Sequence, residues 1–310
     1  MMLTYMASTL ARMTLTFLAI VTLVFFATRI SGNPIDFIAG EGLSREDREI
    51  LIRYYELDRS WLAQYRAFLG AFFDGQFGLS YIERRPVADI VSERLWPSAQ
   101  LLLSATSLTL IVSIPLGIVA ALHRTSWVGS AATTLAFLGY AVPNFVLGVL
   151  LVLTFSYWLN LLPVVGNASV AHFVMPTVTL AAGLIAALTR FTRNAMLDVL
   201  GQDYMRTARA KGLAEHVVVL RHGLRNAGIT LLSVVGLQIA GLAAAGSVVV
   251  ESIFAWPGIG ELLVRSAIRR DYPVLQFGVL TVALAVIVVN ALIDLAYAWA
   301  DPRLRRAGRA

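Results

Sequence analysis

Six apolar runs decide what this chain can become. They cover residues 13–30, 99–122, 132–157, 172–189, 228–250 and 275–299. A helix of about 20 mostly apolar residues crosses the hydrocarbon core of a bilayer, and each run has roughly that length. Inside lipid every backbone N–H and C=O needs an internal partner, which a continuous helix supplies. The bulk composition agrees: 58% of the 310 residues are hydrophobic and 14% charged, against about 45–50% and 25% in soluble domains. The expectation is an all-α integral membrane protein with six transmembrane helices in a single domain, residues 1–310.

The first run is bounded by Arg12, and Ser31-Gly32-Asn33-Pro34 follows it where a cleaved leader would have a small-residue cleavage site. It is read as a retained span. The loop 190–227 carries seven Lys or Arg against three acids, and the tail after 300 carries four Arg. Short basic loops stay in the cytoplasm, so both termini are expected there. Residues 31–98 hold eleven acids and eight arginines among aromatic residues. They read as an extracytoplasmic helical insertion, with Leu51, Tyr54, Tyr55, Trp61, Tyr65, Phe68 and Phe72 packing helices together. Residues 74–80 read as a turn, and Pro86 suits the first turn of the next helix.

The most cationic stretch between two spans is 203–225, DYMRTARAKGLAEHVVVLRHGLR. It reads as two short helices broken at Gly212, a residue that takes positive φ without steric cost. Tyr204, Ala208 and Lys211 share one face of the first helix. In the second, Leu213, Val217, Leu220 and Leu224 recur with helical period as an apolar stripe. Residue types alone leave two readings, a solvated inside loop or a docking element.

Catalytic chemistry is scarce. No Gly-rich phosphate loop is present, so the chain is not expected to hydrolyse nucleotide. His123, His172, His216 and His222 lack metal-ligand spacing, and there is no Cys. A net charge of +6 sits at the ends of apolar runs and gives no nucleic-acid surface. The acids nearest span interiors, Glu251 and Asp294, stand close to span ends. A carrier driven by an ion gradient usually keeps an ionisable group at mid-membrane; without one, a stand-alone secondary carrier is disfavoured, and energy must come from a separate subunit.

Ordered motifs along the chain carry a resemblance. They are Gly78, Ser80, Pro86-Val87, Ile90 and Pro97; Pro143-Asn144-Phe145; Asp203-Tyr204 followed by residues 206–213, RTARAKGL; Glu251-x-x-Phe254-x-x-Pro257-Gly258-x-Gly260; and Arg270-Asp271-Tyr272-Pro273. The chain resembles the first permease subunit of ABC importers of the dipeptide, oligopeptide and nickel family. Arg206 and Arg225 stand where the general importer signature has Glu and Pro, a departure usual in the peptide branch. The resemblance implies an inner-membrane permease with a cytoplasmic coupling-helix loop between the fourth and fifth spans. Its implied partners are a second homologous permease, two ATPase subunits and an extracytoplasmic substrate-binding protein, within membrane lipid. ATP and Mg would be bound by the ATPase subunits and no cofactor or metal by this chain. By the same resemblance Asp203, Tyr204, Thr207, Ala208, Ala210, Lys211, Gly212, Leu213 and Leu224 belong to the ATPase-coupling contact. Pro143, Asn144, Glu251, Trp256, Pro257, Gly258 and Asp271 belong to the translocation path or outer gate. The implied cargo is a short peptide, with nickel or another small solute as the alternative.

Overall fold

The computed structural model describes residues 2–32, 35, 44–54 and 56–300. The expectations for Asn33, Pro34, Tyr55 and the basic tail after residue 300 lie outside the described residues. In chain order the helices are α1 (Met2–Ile30), α2 (Arg45–Tyr54), α3 (Trp61–Phe73), α4 (Val87–Leu122), α5 (Trp127–Ala141) and α6 (Asn144–Leu151). They continue as α7 (Val170–Leu200), α8 (Asp203–Ala210), α9 (Glu215–Val217), α10 (Arg225–Gly241), α11 (Val248–Ile253), α12 (Ile259–Ile268) and α13 (Tyr272–Ala300). Three π-helical segments, Val152–Trp158, Val218–Leu224 and Leu242–Gly246, extend α6, α9 and α10. No strand occurs among the described residues.

Four helices contain stretches long and apolar enough to cross a membrane: Ala11–Ile30, Val87–Leu122, Val170–Leu200 and Tyr272–Ala296. Two bent pairs pass the same test when each is taken together, Trp127–Ala141 with Asn144–Trp158 and Glu215–Gly228 with Thr230–Gly241. The helices depart from the bounds of the apolar runs for physical reasons. The run 132–157 bends by 95° where Pro143 offers no N–H to continue the helix. The run 99–122 begins twelve residues early, because α4 starts at Val87 and passes through Pro97 unbroken. The run 172–189 continues as α7 to Leu200, carrying Arg190 and Arg193 on helix rather than loop.

The chain divides into two compact units, one of Ala99–Trp256 with Val286–Ala310 and one of Met2–Ser98 with Pro257–Ala285. In the first, α5, α6 and α10 pack on α7. A Cβ added to Gly139 of α5 would stand 2.8 Å from the Ala182 carbonyl of α7, and one on Gly117 of α4 would stand 2.8 Å from the Thr189 carbonyl. Glycine is what lets these backbones approach so closely. One apolar cluster gathers Leu101, Met175, Leu180, Phe254 and Trp256. Another gathers Leu188, Met196, Val219, Ala227 and Leu231.

In the second unit Val87, Ile90 and Val91 of α4 pack against Ile259 and Leu262 of α12 and Val274 of α13. The turn after α3 uses Gly75 and Gly78 at φ 72° and 76°, and Leu79 pairs with Pro86 in a single antiparallel bridge. The expected stripe Trp61, Tyr65, Phe68 and Phe72 forms on α3 and packs on α1. Phe25 of α1 lies 5.2 Å from the Tyr65 ring and 5.4 Å from Phe68.

Candidate functional site

The stretch 203–225 folds as α8, a turn at Gly212, then α9 running into the π-helical segment. Gly212 has φ +74°, and its N–H donates to the Arg209 carbonyl at 2.9 Å. That left-handed residue ends α8 and redirects the chain. Asp203, Tyr204, Thr207, Ala210, Lys211, Gly212 and Leu213 are exposed. Ala208 is different: it is buried within its own chain, in a cluster with Met205 and Val218. Its small side chain brings α8 down onto the segment after α9, and the face it shares with Tyr204 and Lys211 is covered at its centre.

The apolar stripe expected on the second helix is displaced. Leu213 and Leu220 are exposed, while Val218, Val219 and Gly223 are buried. The cause is the π-helical geometry of Val218–Leu224. Hydrogen bonding to the fifth residue moves the inward positions from an i, i+4 spacing to i, i+5. A Cβ on Gly223 would come within 3.1 Å of the Met196 methyl carbon and 3.5 Å of the Met205 methyl carbon, so the widened turn sits tightly on α7 and α8. Leu224 is half-buried at the end of that segment.

Across the turn Arg209 donates to Glu215 through Nε at 3.1 Å and Nη2 at 2.8 Å. These bonds hold the Glu215 carboxyl below the usual carboxylate range and raise the Arg209 guanidinium. The pair fastens one side of the Gly212 turn to the other, leaving Tyr204, Thr207 and Lys211 free to present a surface.

The residues assigned to the outer gate sit in both units. In the first, Asn144 opens α6, and its Oδ1 lies 3.5 Å from where a Cβ on Gly183 of α7 would stand; Pro143 is exposed before it. Gly148 of the same helix faces Thr179, Ile253 and Phe254, joining α6 to α11. Glu251 and Trp256 are fully buried. Helix α11 closes in a Schellman turn: Trp256 N–H donates to the Glu251 carbonyl at 2.8 Å, and Ala255 N–H to Ser252 at 3.4 Å. Ala255 takes the left-handed position at φ 42°, where glycine is usual. The turn drives Trp256 inward, its ring 4.6 Å from Phe173 and edge-on at 80°.

The second unit repeats the device. Helix α12 ends with Arg270 left-handed at φ 53° and Asp271 N–H donating to the Ser266 carbonyl at 2.9 Å. The turn delivers Asp271 to a buried position, where it accepts from the Ser80 hydroxyl at 2.5 Å and the Tyr81 N–H at 3.1 Å. At the other end of α12 the Ile259 N–H donates to Ser98 Oγ at 2.8 Å, next to the buried Gly258 and half-buried Pro257. Glu251, Trp256 and Asp271 are therefore buried and present no surface of their own. Sequence reasoning missed Ser80 as Asp271's partner; the two are 191 positions apart, and only a shared turn-forming role could have linked them. Among the described residues no three His, Asp or Glu side chains gather as a metal site.

Residues 113–306 match the family described as the binding-protein-dependent transport system inner membrane component. The chain is 40% identical over 305 residues to the glutathione transport system permease protein GsiC of Escherichia coli K12, covering 98% of this chain and 99% of that protein. The same identity and coverage hold for GsiC of Shigella flexneri serotype 5b. Among solved structures, an inward-facing MetNI methionine ABC transporter is similar with a TM-score of 0.58 at 15% identity, over 68% of this chain and 96% of that one. A second crystal form of it gives 0.56 at 14%, a likeness of fold alone. The chain belongs to the binding-protein-dependent transport system inner membrane component family, as a membrane-spanning permease subunit of an import-type ABC transporter.

Proposed function

We propose that this permease pairs with a second, homologous permease to form the path for short peptides, powered by two separate ATPase subunits that bind ATP and Mg. An extracytoplasmic binding protein delivers the cargo. The chain crosses the membrane six times with both ends in the cytoplasm, and the two bent helix pairs are the third and fifth spans. The observation that carries this reading is the α8–Gly212–α9 element, a rigid projection pinned by Arg209 and Glu215 with Tyr204, Thr207 and Lys211 on its surface. Such a projection suits docking into an ATPase, so that nucleotide-driven closure below is passed to α7 and α10. Peptide cargo is supported by the full-length likeness to permeases named for glutathione, which is itself a tripeptide. Glu251, Trp256 and Asp271 set the packing of the outer gate, and Pro143 and Asn144 set the bend beside it.

The test is uptake by the assembled transporter in proteoliposomes. ATP-dependent accumulation of labelled di- or tripeptides, lost on omitting the binding protein, is the expected result. Accumulation of nickel and not of peptide overturns the cargo. Uptake by this chain alone, driven by an ion gradient, overturns the mechanism.

A further inference from the structure

Helix α3 runs antiparallel along the stretch of α1 that crosses the membrane. Trp61 meets Phe26 at 6.4 Å between ring centroids, Tyr65 meets Phe25 at 5.2 Å, and Phe72 meets Phe17 at 5.9 Å. Tyr65 and Thr22 share a hydrogen bond of 2.7 Å. With Ile30 at the outer end of the span, Phe17 lies thirteen residues further in, about 20 Å along a helix rising 1.5 Å per residue. The hydrocarbon core is about 30 Å thick. An element packed on α1 from Phe26 to Phe17 therefore runs inside the hydrocarbon core, from its outer end to about the middle.

The path back leaves the membrane along α13, with Phe77 about 8 Å in from the outer end of that helix. After the turn at Gly75 and Gly78, Phe77 stacks on Phe277 of α13 at 3.9 Å. By Ser80 the chain has returned to Asp271, one residue before α13 begins. We propose that residues 61–78 form a re-entrant hairpin that enters the membrane from its outer face, with lipid acyl chains covering the face of α3 turned away from α1.

The composition of α3 fits hydrocarbon. Its thirteen residues, WLAQYRAFLGAFF, hold one charge. Leu62 is 57% exposed and Phe73 74% exposed, where a helix in water would carry polar groups. Helix α2, just upstream, is REDREILIRY and has the character of a helix in water. Arg66 stands near the outer end of α3, and its long stem can carry the guanidinium to the interface. Three backbone donors at the tip are satisfied internally, as hydrocarbon favours: the N–H groups of Asp74, Gly75 and Gln76 donate to Gly70, Phe72 and Ala71 at 3.0, 3.2 and 2.8 Å. Asp74 is the one acid carried to this depth. It is exposed, and an acid at such depth is tolerated against protein or a water-filled space rather than lipid. The inference rests on the proposed topology, with α1 spanning and its N-terminus in the cytoplasm, and is independent of the cargo.

The test uses the Cys-free chain, expressed with the subunits that co-purify with it and reconstituted in phosphatidylethanolamine–phosphatidylglycerol vesicles. Leu62→Cys, Phe73→Cys and, on α2, Arg45→Cys each receive a nitroxide. Collision with oxygen and with a water-soluble nickel chelate is then measured. Leu62 and Phe73 should collide with oxygen and not the chelate, Phe73 at the greater depth, while Arg45 collides with the chelate. Chelate access at Phe73 places α3 in water and overturns the proposal. Protection from both reagents means that protein covers α3, which overturns the lipid contact. A Phe73 label no deeper than the Leu62 label removes the re-entrant path.

Discussion

Arg209 and Glu215 close a two-bond ion pair, 2.8 and 3.1 Å, across the left-handed turn at Gly212. Both side chains are partly solvated, so the pair is worth about 0.2–1 kcal/mol, as exposed pairs are. Its value lies in fixing the angle between α8 and α9. Because Arg209 depresses the Glu215 carboxyl, the pair's contribution is present above the ordinary carboxylate value of 4.5 and is lost as pH falls through the lower folded value. Amide exchange of Gly212, corrected for intrinsic rate, should be flat around neutral pH and accelerate in acid below the carboxylate range. Glu215→Gln should remove that acid step. A step of equal size in the variant assigns it to another group.

Gly212 is required for its backbone angle and not for space. A Cβ there meets nothing within 4 Å, so substitution brings no clash inside this chain. A β-branched residue forced into the left-handed region costs about 1–2 kcal/mol, whereas Asn tolerates it. Gly212→Val should lower co-purification with the ATPase, and Gly212→Asn should largely preserve it. Equal loss in both variants means that the partner needs the bare backbone, and no loss in either removes the turn from the docking geometry.

Ala208 and Lys211 should separate folding from docking. Ala208→Glu puts a charge into the packed contact with Met205 and Val218, a cost of a few kcal/mol when no partner is available. It should lower the melting temperature of the purified subunit. Lys211→Glu, at an exposed position, should leave melting unchanged and weaken ATPase binding and substrate-stimulated ATP hydrolysis. Unchanged melting of Ala208→Glu would contradict the buried contact, and wild-type coupling of Lys211→Glu would remove that residue from the docking surface.

The span-forming runs and the break at Gly212 were legible because both arise from local chemistry, apolar length in one case and backbone freedom in the other. The stripe Leu213, Val217, Leu220 and Leu224 misled because it assumes the α-helical period, and the buried Val218 and Gly223 obey the π-helical one. Nothing in one segment's composition signals that change; contact with Met196 and Met205 accompanies it. Two Schellman turns escaped notice because Ala255 and Arg270 occupy the left-handed position where glycine would have announced a stop. Phe17, Phe25 and Phe26 lie in the first apolar run. Their pairing with α3 joins residues 35 to 55 positions apart, a distance over which periodicity carries no information.

The turn that delivers Asp271 to Ser80 supports the last prediction. The carboxylate accepts from the Ser80 hydroxyl and the Tyr81 N–H, while Ser80 Oγ itself accepts from the N–H groups of Ile82 and Glu83 at 3.2 and 2.9 Å. Asp271 thus holds the turn 80–83 through the Ser80 hydroxyl and the Tyr81 N–H. Removing it leaves a buried hydroxyl and a backbone donor without their acceptor, at about 1–3 kcal/mol for each unsatisfied group. Asp271→Ala should speed amide exchange across 80–83 by at least tenfold, since about 1.4 kcal/mol is a factor of ten. Asp271→Asn keeps one carbonyl acceptor and should fall between. Ser80→Ala should loosen the same amides, and the effect of the double variant should fall short of the sum of the two singles, because one of the bonds that each removes is shared. Additive effects in the double variant would mean that Asp271 and Ser80 stabilise the outer turn separately, and the clasp between them would then carry none of the order in residues 80–83.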